Sequence, residues 1–205
     1  MKIDLETYLH VICNDWAFSS SRFTLELPFV YLGWKIATDG RILLAIPTDE
    51  QDTLESDQPR RRFPPKSALL EILKQCQASW DGELSEWPSI TSDKAIAPME
   101  EEDDGLYAIV LNWDREVVVD ARFYWIFERL AIAFDSRVEC RFPEEDTGPP
   151  MFERHNIIQF RSSERDDKGR YRFIGQLMPL DHQRHPSAVA AIELYKKAKK
   201  ASEEA

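Results

Sequence analysis

At 205 residues and 43% hydrophobic content, the chain can bury one substantial core and is too apolar for wholesale disorder. Its formal net charge of −11 and pI of about 4.9 exclude coating nucleic acid through bulk charge, though not through a local basic surface. Three widely spaced cysteines (Cys13, Cys76, Cys140) form no CxxC pair, which argues against a zinc ribbon or a disulfide framework.

With no apolar run of about 18 residues and no signal-peptide core, no membrane span is expected, and a reduced cytoplasmic setting is. Leu5, Leu9, Ile12 and Trp16 fall at helical spacing and predict a helix over 4–17. Phe23, Leu25 and Leu27 alternate, so 22–31 reads as a strand. The stretch WKIATDGRILLAIP, 34–47, reads as two strands around Asp39-Gly40, because glycine accepts a positive φ without steric cost and aspartate tolerates one. Residues 48–59 are polar and acidic and predict an exposed loop. Arg60, Arg61 and Arg62 follow, and Pro65 then opens a helix over 66–77 carrying Leu69, Leu70, Ile72 and Leu73. Residues 79–104 show no regular pattern and end in the acid block EEEDD, read as a solvated loop.

From Leu106 the pattern resumes. LYAIVLNW and REVVVD predict a strand pair around Asn112-Trp113-Asp114, and an aromatic, largely buried helix follows over 121–134. A strand is expected at 138–142 and two more at 156–161 and 171–177, paired around ERDDKGR. Pro186 opens a last helix over 187–201, with lysines crowding its C-terminal end. Helices alternate with groups of antiparallel strands, the α+β pattern.

No nucleophile elbow, phosphate-binding loop, HExxH or GxGxxG stands in the chain, so it is read as non-catalytic and without a cofactor. His182 and His185 with Asp181 have the makings of a metal site, but they lie in a proline-bounded linker without further His or Cys, and structural or surface histidines fit better. Asp114, Glu116 and Asp120 alternate as some nuclease acids do. Exposed acids on a half-buried strand explain them equally well.

Two separated regions carry a family resemblance. ATDGRILLAIP at 37–47 followed by RRRFPPKSALLEIL at 60–73 is similar to the bacterial DNA sliding clamp, the beta subunit of the replicative polymerase. There a strand leads into a motif close to ATDGHRLA and then a V-P-x-x-x-L-x-x-L helix start. VVVDARFYWIFERL, SRVECRF, IIQFRS and FIGQLMPL resemble its C-terminal half-domain, and Phe173–Pro179 looks like the F-x-G-x-L-M-P ending of phage-encoded relatives. Glu86-Trp87-Pro88 resembles the family's linking motif. The chain is shorter than a three-domain clamp subunit, and on that plan the helix at 66–77 is expected to be surplus to two βαβββ halves or to replace something.

The resemblance implies an α+β, DNA-clamp-like fold of antiparallel sheets with packed helices. It places a single clamp-like domain at 1–181, with half-units 1–78 and 106–181 joined by the acidic loop 79–105, and a C-terminal helical tail at 182–205. It further implies a replication accessory, self-associating into a homo-oligomer around double-stranded DNA or docking clamp-binding peptides of polymerase and repair proteins. Carried over position by position, the peptide pocket is Leu25, Thr38, Gly40, Arg41, Leu43, Pro88, Met178, Pro179 and Leu180. Arg41-Ile42 stands where the family has His-Arg. The cations available for non-specific DNA contact are Arg60, Arg61, Arg62, Lys66, Lys74, Arg122 and Arg129. The competing reading is a protein-interaction module that uses a clamp-like fold without DNA.

Overall fold

The structure, a computed structural model, describes residues 5–14, 27–53, 66–78, 85–86, 96–97, 108–112, 117–141, 157–178 and 186–203. Four helices are described: α1 (Leu5–Asn14), α2 (Lys66–Gln77), α3 (Ala121–Ala133) and α4 (Pro186–Glu203). The strands are β1 (Phe29–Tyr31), β2 (Trp34–Thr38), β3 (Ile42–Pro47), β4 (Ser85–Glu86), β5 (Ile96–Ala97), β6 (Ala108–Asn112), β7 (Val117–Asp120), β8 (Val138–Arg141), β9 (Ile158–Ser162) and β10 (Ile174–Leu177). The fold is α+β, with antiparallel sheets.

Seven strands form one sheet in the order β1-β2-β3-β10-β9-β8-β4, and every neighbouring pair is antiparallel. β1 and β2 turn through Leu32 and Gly33, both at positive φ (51° and 75°), the backbone that a two-residue hairpin needs to match strand twist. Gly40, at φ 90°, serves the β2–β3 turn. A helix followed by three antiparallel strands thus occurs twice, as α1-β1-β2-β3 and as α3-β8-β9-β10. The two units meet through their last strands, β3 against β10, so the central order is first-second-third, third-second-first. With β7 ahead of α3, the second unit runs βαβββ.

Alternation along each strand sends side chains to opposite faces of the sheet. Ile42, Leu44 and Ile46 of β3 join a core with α1 (Leu9, Ile12) and α3 (Phe127, Leu130). Leu43 and Ala45 join a second core, on the other face, with Leu69, Leu73 and Cys76 of α2. The helix at 66–77 is therefore not surplus, because it covers a sheet face that α1 and α3 leave bare. Burying such a face removes the penalty of exposing Trp34, Ile36, Leu43 and Ile174, at roughly 1.5–3 kcal/mol for each large side chain.

The smaller sheet, β5-β6-β7, lies beside α3, and Val117 and Val119 share its core. α4 packs across this sheet and buries Ala191 and Ile192. Three expectations change. The stretch 79–104 does hold strands, since Ser85–Glu86 pairs with β8 and Ile96–Ala97 with β6. Two-residue strands leave no alternation to detect, and β8 and β6 supply the ladder. Of the strand expected at 22–31, Phe29–Tyr31 forms; Leu27 and Pro28 are outside it, and 22–26 lie outside the described residues. Asp120, read as an exposed acid, is buried.

Candidate functional site

The β2–β3 turn is held by its own side chains. Thr38 Oγ1 donates to the Ile42 carbonyl at 2.6 Å and accepts from the Gly40 N–H at 3.1 Å. Asp39 Oδ1 accepts from the N–H groups of Arg41 (2.7 Å) and Ile42 (2.9 Å). Burial pushes the Asp39 carboxyl above its ordinary range, with those hydrogen bonds and the Arg41 charge pulling the other way. Cys13 of α1 stands against the Thr38 backbone, and burial lifts its thiol to about 11.

β10 then lies beside β3. The ladder pairs Gln176 with Leu43 and Leu177 with Ile42, and continues as Met178 N–H donates to the Arg41 carbonyl at 2.8 Å. Register extends this level across the sheet: Thr38 opposite Leu43, Leu43 opposite Gln176, Gln176 opposite Gln159, Gln159 opposite Arg141. By alternation all five stand on the face that carries α2, at one margin of that helix. Gln159 Nε2 donates to Gln75 Oε1 of α2 at 2.8 Å, and Gln75 Nε2 donates to Glu71 Oε1 at 2.9 Å.

The next row inward fixes α2 in place. Arg161 is buried; its Nε donates to Glu139 Oε2 at 2.8 Å and an Nη to the Ala78 carbonyl, just past the helix, at 2.8 Å. Its guanidinium lies 4.4 Å from the Tyr171 ring centroid. Cys76 Sγ donates to the Gly175 carbonyl at 3.5 Å, so α2 is tied to β10 as well.

Thr38, Gly40, Arg41, Leu43 and Met178 are thus brought together at one end of the sheet. Leu25, Pro88, Pro179 and Leu180 lie outside the described residues. The sequence reading takes Gln176 to Leu180 to complete this wall, and Gln176 does stand opposite Leu43, whereas Gln159 and Arg141 were missed as neighbours of this end. Alternation marked their strands, but only register places them beside Leu43. With Arg41 and Met178 beside the row, this end of the sheet offers two apolar side chains (Leu43, Met178), two amides, a hydroxyl and two guanidiniums. Such groups bind through apolar contact and hydrogen bonds.

The expected DNA contacts are divided. Lys66 and Lys74 are exposed on α2 and Arg129 on α3, with the sheet between them, and Arg122 also belongs to α3. Arg60, Arg61 and Arg62 lie outside the described residues, as do Asp114, Glu116, Asp181, His182 and His185. Among the described residues no group of three or more His, Cys, Asp or Glu is placed to hold a metal ion, and no helix is long and apolar enough to cross a membrane. No protein-family model, curated protein or solved structure matches this chain.

Proposed function

We propose that the chain is a non-catalytic, sliding-clamp-like docking module: a replication or repair accessory that takes a short apolar peptide at the Thr38–Met178 end of the large sheet. The observation that carries this reading is the β3–β10 pairing, which sets Met178 on the Arg41 carbonyl beside a locked Thr-Asp-Gly turn. Two helix-plus-three-strand units meeting through their last strands support the clamp-like plan.

Each group has a part in docking. Leu43 and Met178 form the apolar wall, and the unbranched Met side chain adapts to differently shaped anchors. The Gly40 turn lets partner backbone come close. The amides of Gln159 and Gln176 donate to and accept from a peptide main chain, and Arg41 and Arg141 make the rim cationic. DNA contact is not part of this reading, because the described candidate cations, Lys66 and Lys74 on α2 and Arg129 on α3, stand on opposite sides of the sheet.

The test is fluorescence anisotropy with a labelled clamp-binding peptide. Met178→Ala is expected to weaken binding about tenfold, roughly 1.4 kcal/mol, while Lys74→Ala leaves it unchanged. A peptide that fails to bind, or that binds both variants like the parent chain, defeats the proposal.

A further inference from the structure

β1 is the edge strand of the large sheet, and the segment 48–53, TDEQDT, returns along it after β3. Val30 stands opposite Lys35, one step beyond the Tyr31–Trp34 pair that closes the hairpin, so its N–H and carbonyl turn away from β2. Thr53 meets both: its N–H donates to the Val30 carbonyl at 3.0 Å, and its Oγ1 accepts from the Val30 N–H at 2.8 Å. At the other end of the segment, the Thr48 N–H donates to the Gly33 carbonyl at 2.9 Å. Between these ends the chain bends, as the Glu50 N–H donates to Thr48 Oγ1 at 3.2 Å. Its acids meet cations: Glu50 meets Lys35 at 3.2 Å, and Asp49 meets Lys168 at 2.6 Å and Arg170 at 3.6 Å. The segment contains no apolar residue, and Asp49 to Thr53 are all exposed. Salt screens such pairs, and no buried apolar surface backs them.

We propose that the β1 edge, with Lys35, Lys168 and Arg170 beside it, is a recognition site for an extended acidic segment of a partner protein, and that residues 48–53 hold it as a resident substitute. The substitute shows what fits: carboxylates for the three cations, and a main chain for Val30. It fits imperfectly, because a hydroxyl serves Val30 where a strand would offer a carbonyl. An incoming strand exchanges both N–H to carbonyl bonds with Val30, while its acids take the places of Asp49 and Glu50. Arg170 keeps Asp166, at 2.8 Å, in either state. Because the substitute is tethered, a partner meets the site only in the fraction of molecules whose segment has swung away. Its apparent affinity is lowered by that fraction, so loosening the segment without touching the cations raises it. The site stands at the opposite end of β2 from Thr38 and does not rest on docking there.

The probe is a labelled peptide of residues 46–53, IPTDEQDT, titrated with the full chain at low salt and read by fluorescence anisotropy, with fold checked by circular dichroism. The double variant Asp49→Lys, Glu50→Lys repels the segment from its cations and leaves the site intact. It should bind the peptide at least about fivefold more tightly than the parent chain, and its Val30 amide should exchange faster. The double variant Lys35→Glu, Lys168→Glu loosens the segment equally but reverses charge in the site, and should bind at least about tenfold more weakly than the first variant. A peptide with Asn and Gln in place of its acids should lose binding by a similar factor. The proposal is overturned by a peptide that binds none of these chains, or that binds the first variant no better than the parent. Equal binding to the charge-reversed site, equal binding of the neutral peptide, or unchanged Val30 exchange in the first variant overturns it as well.

Discussion

A Cβ at Gly175 would run into the Leu43 carbonyl and the Phe160 ring, one a neighbouring strand's backbone and the other a fully buried side chain. Neither can withdraw cheaply. Gly175→Ala is therefore expected to destabilise the chain by about 2–3 kcal/mol in urea unfolding, the scale of overpacking in a close-packed core. A midpoint shift of less than a few tenths of a molar would contradict it. Asp39 tests burial of a charge at the candidate site. Its folded pKa stands above its ordinary value of 3.8, so its contribution to stability is present below that pH and lost as pH rises through the folded value. Above the folded value the carboxylate is ionised in both states and the fold bears its desolvation. Asp39→Asn keeps the Oδ1 acceptor for Arg41 and Ile42 while removing the charge. The variant is expected to be the more stable at high pH, with the advantage fading as pH falls through the folded value and gone below the ordinary value of 3.8. A variant that loses stability at high pH would show that the ionised form is preferred. Asp39-Gly40 was legible as a turn because its chemistry is local. Gly175 was not, because its constraint comes from strands that meet only in the fold.

At the level of elements, the helix at 66–77 was readable to the residue, since a proline start and an apolar period are both local signals. Its role was not: nothing in its own residues says that β3 and β10 present a second apolar face. The edge of the large sheet poses a similar question. β1 is an edge strand, and the residue that turns its backbone outward is Val30. That edge is closed by the chain itself: the Val30 N–H donates to Thr53 Oγ1 at 2.8 Å, and the Thr53 N–H donates to the Val30 carbonyl at 3.0 Å. The segment 48–53 is pinned along its length, by Lys35 to Glu50 at 3.2 Å, Lys168 to Asp49 at 2.6 Å and Arg170 to the Thr48 carbonyl at 3.2 Å. Natural sheets close their edges to avoid adding strands from other chains. Thr53→Pro removes both bonds to Val30. Exchange of the Val30 amide hydrogen should then quicken more than about tenfold, and light scattering at high protein concentration should rise. Unchanged exchange would mean that the other pins suffice. The segment reads in sequence as a polar loop, and its role as an edge cover depends on contacts with 30, 35, 168 and 170.

On the scale of the whole molecule, charge and topology separate the two proposed uses of the fold, DNA binding and peptide docking. The net charge is −11, so DNA binding requires a local concentration of cations on one surface. The described candidates are Lys66 and Lys74 on one side of the sheet and Arg129 on the other. A surface that neutralises about two phosphates gives a salt slope near −2 in log K against log salt, whereas a sliding grip built from about six or more contacts gives roughly −5 or steeper. Duplex DNA titrated over a salt series is therefore expected to show weak binding at low salt, a shallow slope, and no retention at about 0.15 M. Arg60, Arg61 and Arg62 enter the same measurement as a triple alanine variant. If the slope is steep and falls by about three units in that variant, the basic run forms the missing patch and the chain belongs on DNA. Retention on a nicked circular plasmid that is released when the plasmid is linearised would establish encirclement directly. Without either result, the proposed use that remains is peptide docking at the Thr38–Met178 end of the large sheet.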